Sequence, residues 1–401
     1  MKYCFKLLCI LILTVPANDL FCQDTIRTVS DSTITHDKHP QDLPEDIGFY
    51  IRSTDKKSYL RLYGSIRLNG AYDKGGLKTK QTFSTYDIPT DIKDNESRFF
   101  MSPYQSRLGV DVKIITFVGP VNLKLESDFL GAGNSFRIRH AYGTIGDFLF
   151  GQTWSVFGDP TSIPNTVDQD GPNSSLSERT IQVRYEPKKS LLNWTIAIES
   201  PNPDITNPDS LEIDPVFQSF PDITGRVKFT FSSGYIRLGG IFRSITVRNI
   251  DNSLKVLAGY GGLFSTSLNL SRMITLKSQI SIGKGISRYI TGLTGKGQDV
   301  IFDPIDKNNQ LLFSFGGFVS ASYQFKKHLT SAITLGMIRI RNQDFQSGNS
   351  FKSSFYTSLN AFYKILESSE IGAEYSFGKR INKDRTNGNA NRISFIGFIN
   401  F

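Results

Sequence analysis

The residues of this 401-residue chain best suited to chemistry are arginines spaced at even intervals. Arg137 and Arg139 flank one isoleucine, Arg61 and Arg67 lie six apart, and Arg237 and Arg243 repeat that interval. Arg107, Arg184 and Arg226 sit in segments with the same alternation. A guanidinium offers a planar fork of donors that grips a carboxylate or phosphate with two parallel bonds. Even spacing on an extended chain puts such forks on one face, so the pattern suits anion binding.

Other chemistry is poorly supplied. Catalysis by an activated serine needs a neighbouring histidine held by an acid or amide. The chain has four histidines. His36 and His39 precede the first patterned segment, and His328 falls in a short turn. His140 shares the parity of Phe136, Ile138 and Tyr142, so it is expected on the apolar outer face, where a subunit contact could use it. Cys4, Cys9 and Cys22 lie in an N-terminal leader, so thiol chemistry is excluded once the leader is removed. No nucleophile elbow is present. The reading is of a non-enzyme that needs no cofactor and no metal.

One loop stands out. Residues 155–177, SVFGDPTSIPNTVDQDGPNSS at their start, carry Gly158-Asp-Pro160, Pro164 and Gly171-Pro172, a stiff, turn-rich composition. A long rigid loop here can fold inward and narrow a pore. Trp154 would begin that constriction, and Asp159, Asp168 and Asp170 would then face the arginines across an eyelet. Two carboxylates, Asp168 and Asp170, are weak grounds for a calcium site.

The elements that must position these groups read as strands. From Tyr59 onward apolar residues alternate with polar ones. Leu60, Leu62, Ile66 and Leu68 oppose Arg61, Tyr63, Ser65, Arg67 and Asn69. Ile181, Val183 and Tyr185 oppose Thr180, Gln182, Arg184 and Glu186. Short turns near 117–120, 145–147, 187–190, 232–234, 271–272, 326–328 and 366–369 alternate with polar loops at 72–97, 155–177, 200–220, 246–253, 290–309, 342–349 and 379–390. A tight connection at 131–134 is the exception. These connections join about sixteen strands and predict an all-β, transmembrane antiparallel β-barrel with an inward-folded constriction loop. Lipid requires such a sheet to close, since every backbone polar group needs an internal partner. The apolar face meets the bilayer and the polar face lines a lumen that stays wet at this strand number.

By parity the inward basic residues are Arg61, Arg67, Arg107, Lys113, Lys124, Arg137, Arg139, Arg184, Arg226, Lys228, Arg237, Arg243, Lys277, Lys352 and Arg392. The inward acids are Asp111, Glu126, Asp128, Glu178, Glu186, Glu199, Glu370 and Glu374. Fifteen against eight makes an anion-attracting lumen, though pairing with those acids could absorb many of the arginines.

The N-terminus reads as an address. Lys2 and Lys6 precede an apolar stretch from Leu7 to Val15, followed by a polar break, which marks residues 1–22 as a signal peptide. Residues 23–56 read as a flexible periplasmic segment, and 57–401 as the barrel. Removing the leader lowers the net charge from +9 to +8. Because the basic residues point inward along many strands, nucleic-acid binding is a poor use of that charge. Mean hydropathy of −0.22 averages two faces of opposite character, and 34 Gly, 31 Phe and 16 Tyr suit a barrel.

Several runs carry a family resemblance. Arg137-Ile-Arg139-His140-Ala-Tyr142-Gly143 leads to Leu149-Phe-Gly151-Gln152-Thr-Trp154-Ser155, then Asp159-Pro160, Asp170-Gly171-Pro172, Arg184-Tyr185 and Gly283-Lys-Gly285-Ile-Ser-Arg288-Tyr289-Ile290. The chain resembles the DcaP-like outer-membrane porins over residues 57–401. The resemblance implies a homotrimer in the outer membrane of a Gram-negative bacterium. It also implies passive diffusion of small anionic solutes such as dicarboxylates, with Arg137, Arg139 and Arg184 in the basic wall and 154–172 at the constriction. Some relatives carry a helical coiled-coil extension ahead of the barrel; residues 24–48 are short and hold two prolines, which speaks against it. A phosphate-selective porin or a non-conducting structural barrel are the alternatives.

Overall fold

A computed structural model describes residues 38–91, 96–188, 192–206, 216–249 and 252–401. The signal-peptide reading for 1–22 and the stretch 23–37 lie outside the described residues.

The strands, in chain order, are β1 Phe49–Arg52, β2 Ser58–Lys74, β3 Ser97–Ser102, β4 Arg107–Thr116, β5 Gly119–Asp128, β6 Arg137–Ile145, β7 Phe148–Trp154, β8 Arg179–Tyr185, β9 Asn193–Glu199, β10 Ile205–Thr206, β11 Asp222–Phe231, β12 Gly234–Arg248, β13 Leu254–Asn269, β14 Ile274–Lys284, β15 Val300–Asp303, β16 Asn308–Leu311, β17 Phe313–Lys326, β18 Leu329–Arg341, β19 Phe351–Leu366, β20 Ser369–Asn382 and β21 Asn387–Asn400. All but β10, β15 and β16 belong to one sheet. β3 and β4 are two halves of one wall strand, both paired with β2, and β1 adds only to the lower half of β2. The remaining pairings run neighbour to neighbour, and β9 meets β11 across the span that holds β10. The wall is thus a closed antiparallel barrel of sixteen strands.

Closure uses the last residues. β21 pairs with β2 from Ser65↔Asn400 to Lys74↔Asn391. Beyond it, Phe401 and Gly64 exchange backbone hydrogen bonds of 3.0 and 2.9 Å. No edge is left in the ring, as lipid demands. The alternation that marks the strands becomes two surfaces. Leu62, Ile66, Leu68, Ile181, Val183, Leu335 and Ile393 are exposed on the outside, while Arg61, Arg67, Gln182, Arg184 and Thr334 are buried within. At the short-turn end Phe148, Tyr185 and Trp194 form a chain of ring contacts with centroids 5.0 and 5.7 Å apart. Such aromatics mark a membrane interface.

The short turns fall where the alternation breaks. Two expected loops do not materialise at their expected size. β12 runs on to Arg248, shortening 246–253 to 249–253, and β20 and β21 extend so that 379–390 shrinks to the turn 383–386. At the end of β12 Ile245 and Val247 turn inward onto Val300, and residues 379–390 are mostly polar on both faces, so alternation no longer reports the strand. The 285–312 connection is larger than expected and carries two short 3-10 turns and a hairpin, β15–β16, joined in parallel by β10 from the 200–221 loop.

One irregularity decides the site. Opposite Glu126 the register slips: Glu126 faces His140, and Ser127 faces Ile138. Arg139 is the extra residue of a β-bulge, so Arg139 and His140 both turn inward.

Candidate pore constriction

The lumen side of β2, β4, β5 and β6 holds a ladder of ion pairs. Arg61 Nη2 is 2.5 Å from Asp111. Arg137 and Arg139 both reach Asp128, at 2.7 and 3.1 Å, and Arg139 Nε also donates to Glu126 at 2.9 Å. Arg107 lies 3.9 Å from the same Glu126. The bulge is what lets Arg139 reach both acids. It also corrects the expectation for His140, which lies on the inner face and not the outer one. His140 is buried, bonded through Nδ1 to Thr153 Oγ1 at 3.0 Å, with its ring edge on Trp154 at 5.5 Å.

Facing this ladder is the 155–178 loop, fixed inside the barrel. At its start Ser155 Oγ and the Val156 amide donate to Glu199 on β9, both at 2.8 Å. Asp159 accepts from Tyr235 on β12 at 2.9 Å and Ser265 on β13 at 2.6 Å, and pairs with Arg237 at 3.3 Å. Arg237 also donates to the carbonyls of Val156 and Gly158. Lys277 on β14 donates to Thr161 and Ile163 oxygens at 3.0 and 2.8 Å. On β19 Asn360 donates to Asn165 O at 2.9 Å, and on β20 Glu374 accepts the Val167 and Asp168 amides at 3.0 and 3.4 Å. The loop therefore crosses the lumen from β7 to the far wall, returns, and closes against Thr291 and Gly292.

The described part of the supposed flexible segment 23–56 is bonded to the barrel. Residues 38–47 lie in the lumen, and Phe49–Arg52 pair antiparallel with Tyr59–Leu62 of β2. Arg107 Nη1 and Arg67 Nη2 donate to Gln41 O at 2.6 and 3.3 Å. Arg61 Nη1 donates to Pro44 O at 2.9 Å. His39 stacks on Trp154 at 5.3 Å. Burial, with Arg179 and Arg139 adding repulsion, pushes the His39 imidazole well below its ordinary range, so it is neutral at pH 7.

The expected site residues separate into groups. Arg61, Arg67, Arg107, Arg137 and Arg139 share one arc. Arg184 donates to Trp154 O at 2.6 Å and lies 3.7 Å from Glu186, which also pairs with Arg226 at 2.8 Å. Arg237 anchors the loop. Arg243 is elsewhere, clamped between Asp222 at 2.9 Å and Asp299 at 2.7 Å, where it supports the 285–312 connection. Asp159 meets an arginine as a buried anchor and does not stand across the eyelet. Asp168 accepts the Phe83 amide at 3.1 Å, and burial beside Asp170 pushes its carboxyl up to about 7. Burial also raises Asp170, against the opposing pull of Arg137, Arg179 and Arg139; it is the loop acid turned to the basic arc. Among the described residues no cluster of three His, Cys, Asp or Glu side chains is placed to hold a metal ion.

Sequence parity misses Arg179. Its neighbours Thr180, Gln182 and Arg184 alternate inward, which assigns 179 to the outer face. As the first residue after the inward loop, it instead stacks its guanidinium 3.8 Å over Trp154. Its Nε is buried without a hydrogen-bond partner, as is Trp154 Nε1. Asp73, Asp222 and Asp299 are also missed as partners, and they neutralise Arg98, Arg392 and Arg243.

Several known proteins share this architecture. The crystal structure of the outer membrane channel DcaP of Acinetobacter baumannii superposes with a TM-score of 0.77 at 21% identity, covering 88% of this chain and 99% of that one. An anion-selective porin from Comamonas acidovorans matches with a TM-score of 0.55 at 12% identity, over 86% of this chain and 100% of that one. OmpT of Vibrio cholerae in its trimer form matches with a TM-score of 0.50 at 11% identity, over 86% and 99%. No curated protein matches the chain. The family model for the DcaP outer membrane protein matches residues 50–401. With that match spanning nearly all of a closed sixteen-stranded barrel crossed by an inward loop, the chain belongs to the DcaP family of outer-membrane porins.

Proposed function

We propose that this outer-membrane channel passes small hydrophilic anions, dicarboxylates among them, by passive diffusion as a homotrimer. The observation that carries the reading is Arg179. It makes no ion pair with a described residue; it stacks over Trp154 with a buried Nε that has no hydrogen-bond partner, within the field of Arg139, Arg137 and Arg107 and of Asp42 in the lumen segment. Arg67 is similar in kind, since its guanidinium donates to the Gln41 carbonyl and the Ser65 hydroxyl. A fixed cationic charge without a matching acid attracts anions in a narrow, weakly screened passage. The Asp170 carboxyl opposite supplies a transverse field that orients an asymmetric solute.

The loop supports the size limit. It is anchored on β9, β12, β13, β14, β19 and β20, so the loop narrows the passage as a fixed element. The membrane partner is the lipid bilayer that meets the exposed apolar surface. The trimer form of OmpT and the anion-selective Comamonas porin are consistent with the assembly and the selectivity proposed.

The test is reversal potential across a planar bilayer in a potassium chloride gradient. Anion preference is expected. Cation preference refutes the charge argument, and no conductance refutes the channel. Succinate block exceeding phosphate block separates a dicarboxylate path from a phosphate path. Cross-linking that stops at three protomers checks the assembly.

A further inference from the structure

We propose that residues 38–47 are a displaceable gate, seated in the constriction and occupying with their own oxygens the guanidiniums that an entering carboxylate needs. The inference rests on the anion-channel reading above and deepens it.

The path of the segment shows the occupancy. Gly48, at φ +141°, turns the chain from β1 into the lumen; a Cβ there would meet Leu62 O at 2.9 Å. Ile47 and Pro44 then offer carbonyls to Arg61. Gln41 spans the passage. Its carbonyl accepts from Arg107 and Arg67 on the wall, and its side-chain amide donates to Thr166 O and Asp168 O on the loop at 3.2 and 3.4 Å. Asp42 lies 3.9 Å from Arg139. Thus one residue joins the two sides between which a solute must pass.

The way the segment is held makes it removable. Its bonds from the wall arginines end on uncharged carbonyl oxygens, and the one carboxylate contact, Asp42–Arg139, is long. Asp42 Oδ2 accepts its partner from the segment's own His39 amide, and Oδ1 is buried with no hydrogen bond. Leu43 is buried, yet it joins none of the apolar clusters formed by the described residues. A carboxylate offered to Arg107 and Arg67 would replace an uncharged carbonyl acceptor with an anionic one that a guanidinium can grip with two parallel bonds. Anionic solute and segment therefore compete for the same donors. Pro40 and Pro44 restrict the free segment, so reseating it costs less conformational entropy.

Single-channel recording of the wild type against a variant lacking residues 38–47 tests this. Conductance should rise about twofold or more in the variant, because chain filling a narrow passage excludes ions. Succinate should block it at lower concentration than the wild type, and a synthetic peptide of residues 38–47 should restore the lower level. Equal conductance and equal succinate block in both proteins overturn the gate and leave the channel reading intact. Absence of current in both overturns the channel and the gate with it. If the deletion fails to fold, the full chain carrying Gln41→Ala and Asp42→Ala gives the answer. Its closed dwell times should shorten about tenfold for the bonds lost, and unchanged dwell times overturn the gate.

Discussion

Glu374→Ala should release the tip of the lumen loop without unsettling the barrel. Glu374 projects from β20 and is 2% exposed. It accepts the Val167 amide at 3.0 Å and the Asp168 amide at 3.4 Å, and it is braced by Asn360 Nδ2 at 3.2 Å and Ser376 Oγ at 3.1 Å. A hydrogen bond to a charged group contributes about 1.5–3 kcal/mol. The Asp168 bond is long, so the pair is worth about 2–4 kcal/mol to the seated tip. At 1.4 kcal/mol per decade, the unseated population grows about 30- to 700-fold. Part of this is offset, because Glu374 also repels the Asp168 carboxyl. The base of the loop keeps its bonds to Glu199 and Arg237, so only the far half should swing. Flicker and mean current in single-channel records are the readout. Glu374→Gln retains an acceptor but loses the charge, and should fall between wild type and alanine. An alanine variant with wild-type flicker would show that Asn360 and Gln41 hold the tip alone. Equal behaviour of the two variants would show that charge, and not tethering, is what Glu374 supplies.

Three further outcomes follow from the geometry. Because burial and Asp170 push the Asp168 carboxyl up to about 7, it is neutral below that pH and ionised above it; anion preference should therefore strengthen as pH falls from 8 to 6, and Asp168→Asn should flatten the profile of reversal potential against pH. Arg243→Leu leaves Asp222 and Asp299 buried without their guanidinium, which costs about 3–5 kcal/mol; heating gels should show the folded band lost at lower temperature, while Arg243→Lys retains part of the difference. Because Arg137, Arg139 and Arg184 are paired with Asp128, Glu126 and Glu186, neutralising all three should lower the temperature at which heating gels lose the folded band while shifting the reversal potential little; a large loss of anion preference would show that the paired arginines also serve the solute.

Much of the barrel was legible because its cause is local. A strand with lipid on one face and water on the other must alternate, and the alternation of Leu60 to Asn69 or Thr180 to Glu186 states the strand, its faces and its neighbours' turns. Legibility failed where the cause was not periodic. The bulge at Arg139 shifts parity by one residue, and nothing in Arg137-Ile-Arg139-His140 marks it, since its reason is the chance for two arginines to share Glu126 and Asp128. Arg179 was lost for a related reason: the residue at a strand's mouth follows the loop and not the pleat. The lumen segment was illegible because residues 38–47 have no pattern of their own. Their order comes from carbonyls that any sequence would supply, gathered by arginines elsewhere in the chain. The loop 155–177 was read as inward from stiffness alone; its route across to Glu374 was not, because its anchors are spread over six strands.

A count of inward charge says less about selectivity than the pattern of partners does. Arg61, Arg137, Arg139, Arg243 and Arg392 each meet a carboxylate within hydrogen-bonding distance. Two opposite unit charges at 4 Å attract by about 4 kcal/mol at an effective dielectric of 20. A passing anion must overcome an attraction of that order to take over such an arginine. Those residues brace the wall, since inward guanidiniums in a wide ring need acids to hold them in place. What remains for a solute is the small remainder whose partners are neutral: Arg179 on Trp154, Arg67 and one arm of Arg107 on Gln41 O. These residues lie on one side of the lumen, against the loop acid Asp170. Selectivity in such a channel is therefore a local property of the constriction. Substitutions among the paired arginines should chiefly change stability, whereas Arg179→Gln, in contact with no acid, should change reversal potential while leaving the folded barrel unaltered.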